Sequence, residues 1–335
     1  MSTAVSFEAA NYQPPAWEAI SRAHALIAPR IHRTPIFTST SLDTLAGARF
    51  FFKCENLQKT GSFKIRGATN AIFSLSDEEA SRGIVTHSSG NHAAAVSCAA
   101  AWRGIPAWIV MPKNAPAVKC KAVEAYGGKI TFCEPKVSAR NEAAARIQSE
   151  TGAVMIHPYD DDRIIAGQAT AAKELLEETG ELDALLAPVS GGGLLSGSAL
   201  SAKHMQPEIR VYGCEPAKAD DAYRSIETGT LQSLDSSDTI ADGLRASLAP
   251  RTFAILQKEL AGIFLVSEEE IVNAMALIWE RLKVVTEPSS AIALAPVLKP
   301  ETIQLISRDR SRPGKLKIGI ILSGGNVDLR SLPFR

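Results

Sequence analysis

A chain of 335 residues exceeds what one small core sustains, and 45% hydrophobic with 21% charged residues describes a folded protein of two domains or one large α/β unit. Lysine plus arginine and aspartate plus glutamate balance at 36 each, so no global field draws the chain to nucleic acid or an anionic membrane, and a small-molecule partner is favoured. The five cysteines (Cys54, Cys98, Cys120, Cys133, Cys214) are odd in number and lack C-x-x-C spacing, which argues against a disulfide framework or a zinc site. The first fifteen residues carry no basic segment followed by an apolar run, and no apolar run reaches membrane-spanning length, so a cytoplasmic protein is expected.

Along the chain, short apolar runs alternate with longer helical patterns. Strands are expected at 50–52, 84–86, 107–111, 129–132 and 153–157, then at 185–189, 210–213, 263–266 and 317–322. Most of these runs lack polar alternation, the mark of strands buried on both faces of a parallel sheet. Helices are expected between them at 93–102, 117–126 and 139–150. Gly127 and Gly128 end the second helix. Residues 235–238 read as a polar turn. Ser267 and Glu270 form a capping box ahead of the periodic positions Ile271, Met275, Ile278 and Leu282. Pro288 fits the first turn of a helix beginning near Glu287, and residues 307–315 read as a charged surface loop. Cys133 and Cys214 close apolar runs and read as core. This βαβα rhythm predicts an open α/β fold.

Four segments rich in small residues follow predicted strands. In the first, Lys59 to Gly67, Lys64 lies between Phe63 and Ile65, where partial desolvation lowers an amine pKa and makes it a nucleophile toward carbonyls. A surface lysine at a helix start is the plain alternative. In the second, Ser88, Ser89, Gly90, Asn91 and His92 precede an alanine-rich helix, whose first amides suit a carboxylate or need only an ordinary polar cap. In the third, Ser190, Gly191, Gly192 and Gly193 precede a helix at Leu194; they let backbone amides approach a phosphate, or simply make a tight turn. This segment has neither the Walker nor the GxGxxG spacing. In the fourth, Ser323, Gly324, Gly325 and Asn326 stand at the carboxyl edge of the last strand, where ligands bind in open α/β folds.

Singly each segment is ambiguous. In this order the four resemble the fold-type II pyridoxal 5'-phosphate (PLP) enzymes, the tryptophan synthase β-like fold, and within it the serine racemase and serine/threonine dehydratase branch. The resemblance runs from Thr34 and Pro35 to the C-terminal Ser-Gly-Gly-Asn-Val-Asp. It implies two open parallel-sheet domains with helices on both faces. Residues 1–85 and 160–335 form the large PLP-binding domain, and residues 86–159 a small substrate-gripping domain whose closure excludes water.

The same resemblance implies roles. Lys64 holds PLP as a Schiff base and then removes the α-proton. Phe63 packs near the cofactor ring, Asn91 bonds the ring hydroxyl, Ser323 meets the pyridine nitrogen and Gly243 lines the other ring face. Gly191, Gly192, Gly193 and Leu194 hold the phosphate, with Ser190 beside them. Ser88, Ser89, Gly90, Asn91 and His92 grip the substrate carboxylate. Ser89 also supplies an acid/base on the face opposite Lys64, which racemisation requires. Glu215, the Ala219 carbonyl and Asp221 match a site for Mg²⁺, Mn²⁺ or Ca²⁺, with a solvated acidic turn as the alternative.

Three positions depart from the family pattern or leave it open. Ala246 stands where animal serine racemases carry serine. Tyr159 replaces an asparagine near the cofactor. Arg140 aligns with an arginine at the pocket mouth that can pair with a second carboxylate, or it is a helix-surface charge. The implied activity is β-elimination of serine-like β-hydroxy amino acids to keto acid and ammonia, by a homodimer, with serine racemisation as companion or principal activity. A 3-hydroxyaspartate ammonia-lyase giving oxaloacetate is the alternative. Threonine dehydratase, β-replacement synthase and a non-catalytic PLP-binding protein follow behind. With no regulatory domain after the last strand, control by isoleucine is not expected.

Overall fold

The apolar runs become strands of two sheets: β1 (Ile36–Phe37), β2 (Arg49–Cys54), β3 (Ile84–His87), β4 (Ala107–Pro112), β5 (Lys129–Cys133), β6 (Val154–Met155), β7 (Ala184–Pro188), β8 (Arg210–Pro216), β9 (Gly262–Val266) and β10 (Lys317–Leu322). The computed structural model describes residues 12–115, 117–234, 237–308 and 313–334. The loops expected at 235–238 and 307–315 fall partly outside these residues, as does most of the amino-terminal segment.

A 6-stranded sheet runs β1-β2-β10-β7-β8-β9, and a 4-stranded sheet runs β5-β4-β3-β6. Every pairing is parallel except β1 with β2. Two expectations shift. The edge strand β1 has two residues, too few to show a period. The strand expected at 153–157 shrinks to β6, because the Ile156 carbonyl accepts from Thr86 Oγ1 at 2.7 Å and Pro158 follows.

Alternate side chains divide each sheet into two buried faces. On the larger sheet Phe50, Phe52, Leu186 and Ile320 meet Ile271, Met275 and Ile278 of the helix Glu268–Leu282. On its other face Phe51, Leu185, Val211 and Ile321 meet Leu175, Leu195 and Ala199. On the smaller sheet Ile84 and Ile109 face the alanine-rich helix Asn91–Arg103, and Val85 and Val110 face Ala144 and Ile147. Each fully buried Ile, Leu or Phe contributes about 1.5–3 kcal/mol. The capping box at Ser267 and Glu270 forms as expected, with Glu270 N donating to Ser267 Oγ and Ser267 N to Glu270 Oε2. All five cysteines are free, and all but Cys120 are buried. Among the described residues no helix is long and apolar enough to cross a membrane.

A buried ionic cluster anchors the helix Lys64–Phe73. Arg66 bonds Glu55 (Nε to Oε2, 2.7 Å) and Glu174 (2.8 Å), while Lys53 reaches Glu174 at 2.7 Å. Arg66, Lys53 and Glu55 are wholly buried. The cluster ties that helix to β2 and to the long helix Asp162–Thr179. Burial works against the Glu174 carboxylate, yet bonds from His24 and Arg66 and the charges of Arg66 and Lys53 hold its carboxyl well below the usual range.

Candidate active site

Two left-handed residues shape the lysine loop. Thr60 (φ 61°) and Gly61 (φ 73°) turn the chain so that Ser62 bridges Gly324 and Phe63 N donates to Ser323 O at 3.0 Å. A Cβ on Gly61 would collide with the Asn326 side chain, so glycine is required there. Lys64 then opens its helix half-buried. Its Nζ donates to Pro158 O at 3.0 Å and lies 5.1 Å from the Phe63 ring centroid. Burial pulls the ammonium down to about 8, opposed by the Glu287 carboxylate. Such an amine is partly free base near neutral pH, which attack on an aldehyde requires.

The segment after β3 meets the turn after β10 through Asn91, whose Oδ1 accepts from Asn326 Nδ2 at 3.0 Å. Ser88 Oγ accepts from Gly90 N at 3.3 Å, and Ser88, Ser89 and Gly90 are half-buried. The helix starts at Asn91 without a side-chain cap, so its first amides remain for an anion. The His92 side chain points away from these amides. Its ring is 2% exposed, with Nε2 3.4 Å from Ile156 O. The helix begins before His92, which turns the ring toward β6; only the backbone of His92 is left to the grip.

The glycine turn after β7 is squeezed from two sides. A Cβ on Gly191 would enter the Tyr159 ring, and one on Gly192 (φ 91°) would stand 2.6 Å from Thr252 Cβ. The helix Gly193–Met205 likewise starts without a side-chain cap, which leaves the Gly193 and Leu194 amides for a phosphate. Beside them, Ser190 Oγ accepts from Ala246 N at 3.1 Å and donates to Ala246 O at 3.2 Å. These two bonds tie the hydroxyl to the backbone of Ala246 in the Gly243–Ala246 loop. Gly243 N donates to Ser289 Oγ at 2.9 Å. The Ser323 hydroxyl is buried and lies 3.5 Å from Ser289 O, a contact too long to occupy it fully. The lysine amine, two uncapped helices and a weakly engaged hydroxyl at the β10 end fit an aldehyde-bearing phosphate ester with a ring nitrogen.

The pocket wall carries charges and rings. His157 stacks edge-on with His87 (5.7 Å) and Tyr159 (4.8 Å). Burial, with the neighbouring His87, holds His157 down to about 4. Arg140 is half-buried on the helix Val137–Thr151 and forms no side-chain ion pair among the described residues. After burial itself, its charge is the main cause that lowers the His87 pKa, and it pulls against the rise of Tyr159, pushed up to about 12 chiefly by burial. An uncommitted guanidinium therefore stands near both rings.

Glu215 and Asp221 form a separate acidic site, each 1% exposed. Glu215 accepts from Ala222 N (2.9 Å) and Tyr223 N (2.7 Å), and Asp221 Oδ2 accepts from Leu248 N (2.8 Å). Neither forms an ion pair among the described residues, where no group of three or more His, Cys, Asp and Glu side chains assembles. Burial pushes Glu215 up to about 8 and Asp221 up to about 6. Two buried carboxylates without an ion pair among the described residues, beside the Ala219 turn, are an oxygen-only donor set that fits a hard divalent cation; the charge of Arg224 offsets only part of the rise of Asp221.

One residue of the pocket escaped the sequence reading. Glu287, 5% exposed, accepts from Asn91 Nδ2 at 2.8 Å. Burial and the Asp242 carboxylate push it up to about 8, opposed by Lys119. The available signal was a carboxylate between the apolar pair Val284, Val285 and the run from Ala291.

Parallel sheets that carry four such loops at their strand ends are the architecture of fold-type II PLP enzymes. The chain belongs to the pyridoxal-phosphate dependent enzyme family, whose model matches residues 27–324. It is 50% identical over 321 residues to the beta-hydroxyaspartate dehydratase of Paracoccus denitrificans (strain Pd 1222), covering 96% of this chain and 99% of that protein. It is 51% identical over 310 residues to the serine racemase of Oryza sativa subsp. indica, covering 92% of this chain and 90% of that one. The structure of maize serine racemase superposes with a TM-score of 0.91 at 48% identity, covering 95% of both chains.

Proposed function

We propose that this PLP-dependent enzyme dehydrates and deaminates a small β-hydroxy amino acid that carries a second carboxylate, 3-hydroxyaspartate, to oxaloacetate and ammonia. The observation that carries this reading is Arg140, a guanidinium near His87 and Tyr159 that forms no ion pair among the described residues. A serine-sized substrate leaves that charge unused, whereas a β-carboxylate pairs with it.

The residues divide the work. Amides of residues 88–92 hold the α-carboxylate at the uncapped helix start. The glycine turn and Leu194 hold the cofactor phosphate, Asn91 and Ser323 orient its ring, and Phe63 and Gly243 border it. PLP bound there supplies an electron sink for the pair left when the α C–H bond breaks. Lys64, freed by the incoming amino group, takes the α-proton at Nζ. The β-hydroxyl leaves with a proton as water, and hydrolysis of the resulting enamine releases ammonia and the keto acid. Closure of residues 86–159 over residues 1–85 and 160–335 excludes water. Glu215, the Ala219 carbonyl and Asp221 hold a divalent cation, and two chains form the working dimer.

Serine racemisation is the second reading, favoured by the serine racemase relatives and by Ser89, which returns the proton from the face opposite Lys64. Keto-acid release separates the two. Oxaloacetate from 3-hydroxyaspartate should form faster than pyruvate from serine, and Arg140→Ala should lower kcat/KM for 3-hydroxyaspartate by about 10–100-fold while changing serine little. Pyruvate formed faster, or equal losses on both substrates, would sink the dicarboxylate reading. Chiral analysis of residual serine, lost in Ser89→Ala, tests racemisation. A visible cofactor band absent from Lys64→Ala tests the attachment site.

A further inference from the structure

Glu287 is a buried carboxyl with no part in the steps above. It precedes the short helix Pro288–Ala291, and its N donates to Gly324 O at 3.1 Å. A Cβ on Gly324 would collide with its Oε1, so the turn after β10 is open to let this carboxyl in. Burying a carboxyl is costly unless its bonds compensate. What it bonds therefore bears on its purpose.

The two ends of a side-chain amide have nearly the same shape, and only neighbours of known polarity decide which end is which. Here an anchor of known polarity exists. The Thr60 carbonyl can only accept, and it lies 2.8 Å from Asn326 Nδ2. That end of Asn326 is therefore the NH₂. The same NH₂ stands 3.0 Å from Asn91, whose facing atom must be the oxygen. The NH₂ of Asn91 then faces Glu287 Oε1 at 2.8 Å. Either protonation state of Glu287 leaves an oxygen to accept that bond. The Thr60 carbonyl is aimed this way by a left-handed φ of 61°, uncommon for a β-branched residue. The relay thus starts in the lysine loop and ends at a buried acceptor.

We propose that Glu287 and Asn326 are positioning residues that lock the Asn91 amide with its NH₂ presented as the donor to the oxygen substituent of the cofactor ring. The proposal rests on the reading of Lys64 as the PLP attachment site. Glu287 takes one Asn91 N–H and leaves the second for the ring oxygen. A flipped amide would set oxygen against oxygen and repel the cofactor.

The test uses the holoenzyme and its Glu287→Gln, Glu287→Leu and Asn326→Ala variants. Three quantities are read: PLP Kd on reconstitution, the pH titration of the visible band, and the Tm of PLP-free protein. Glutamine still offers an oxygen to Asn91, so its Kd should stay within about threefold of the parent. Leucine and the Asn326 variant should each raise the Kd by about tenfold or more and shift the visible titration. The Tm of PLP-free Glu287→Leu should hold or rise, because a buried carboxyl is gone. A leucine variant that binds PLP within twofold of the parent with an unshifted spectrum overturns the proposal. So does a glutamine variant that loses as much as leucine, since charge rather than orientation would then be at work. A parent with no visible band, or a Lys64→Ala variant that keeps it, instead marks failure of the attachment reading.

Discussion

Gly67 and Gly167 meet backbone to backbone where the helix carrying Lys64 crosses the helix Asp162–Thr179: a Cβ on Gly167 would stand 2.6 Å from the Gly67 Cα. Nothing flexible lies there to yield, because Arg66 O is 2.8 Å from the same point. Gly167→Ala must part the helices, a change that costs about 1–3 kcal/mol in a packed interior. Thermal unfolding should show a Tm several degrees lower, and the displaced lysine should hold PLP less tightly. An unchanged Tm would mean the crossing is looser than these distances indicate.

Arg66 is the counter-charge for two buried carboxylates, so Arg66→Leu leaves Glu55 with Thr34 and Glu174 with Lys53 and His24. Breaking a buried pair from one side costs about 3–5 kcal/mol, read as a lower urea midpoint. The pH sign follows from Glu174, whose folded pKa is depressed. Its contribution is complete above the ordinary carboxylate pKa and is lost as pH falls through the depressed folded value. The parent should therefore resist acid to a lower pH than Arg66→Leu. Coincident acid midpoints by circular dichroism would contradict this.

What was legible in the sequence was what lies on consecutive residues. Lys64, the Gly191–Gly193 turn and Ser323 each sit in a short string at the end of an apolar run, and the strand order follows from those runs. What depends on distant partners was not legible. That the Ser190 hydroxyl bonds Ala246 was hidden, because the two lie 56 residues apart. His92 read as part of a loop, although a helix beginning one residue earlier swings its ring into the core. Glu287 read as a helix start beside Pro288, since only the Asn91–Asn326 relay gives a buried carboxyl there a purpose. Arg140 was visible as a charge; that it has no ion pair among the described residues is a property of the fold.

Glu215 and Asp221 predict a response to chelation. Two buried carboxylates that form no ion pair among the described residues repel each other, with only backbone amides and the charge of Arg224 in compensation, and a divalent ion joining them would relieve that cost. EDTA should lower the Tm, and Mg²⁺, Mn²⁺ or Ca²⁺ should restore it, the ion adding about 2.7 kcal/mol of stability at a hundredfold excess over Kd. Glu215→Gln should abolish the ion-dependent part. A parent whose Tm ignores both chelator and ion would return the site to a plain acidic turn.

The Lys64 amine predicts how PLP capture depends on pH. Only the free base attacks an aldehyde, and burial holds this amine at about 8, where an exposed lysine titrates near 10.4. The sign is fixed by the chemistry: deprotonation activates, so the capture rate of PLP-free protein rises with pH and levels off above the pKa. Between roughly pH 7 and 9 the rate should climb about tenfold and then flatten. Glu287 is the charge that opposes the shift, so its loss destabilises the ammonium further. Glu287→Gln should therefore move the midpoint to lower pH. Stopped-flow absorbance at the visible band measures both profiles. A rate that keeps climbing past pH 10 would show that Lys64 is solvated as an ordinary lysine.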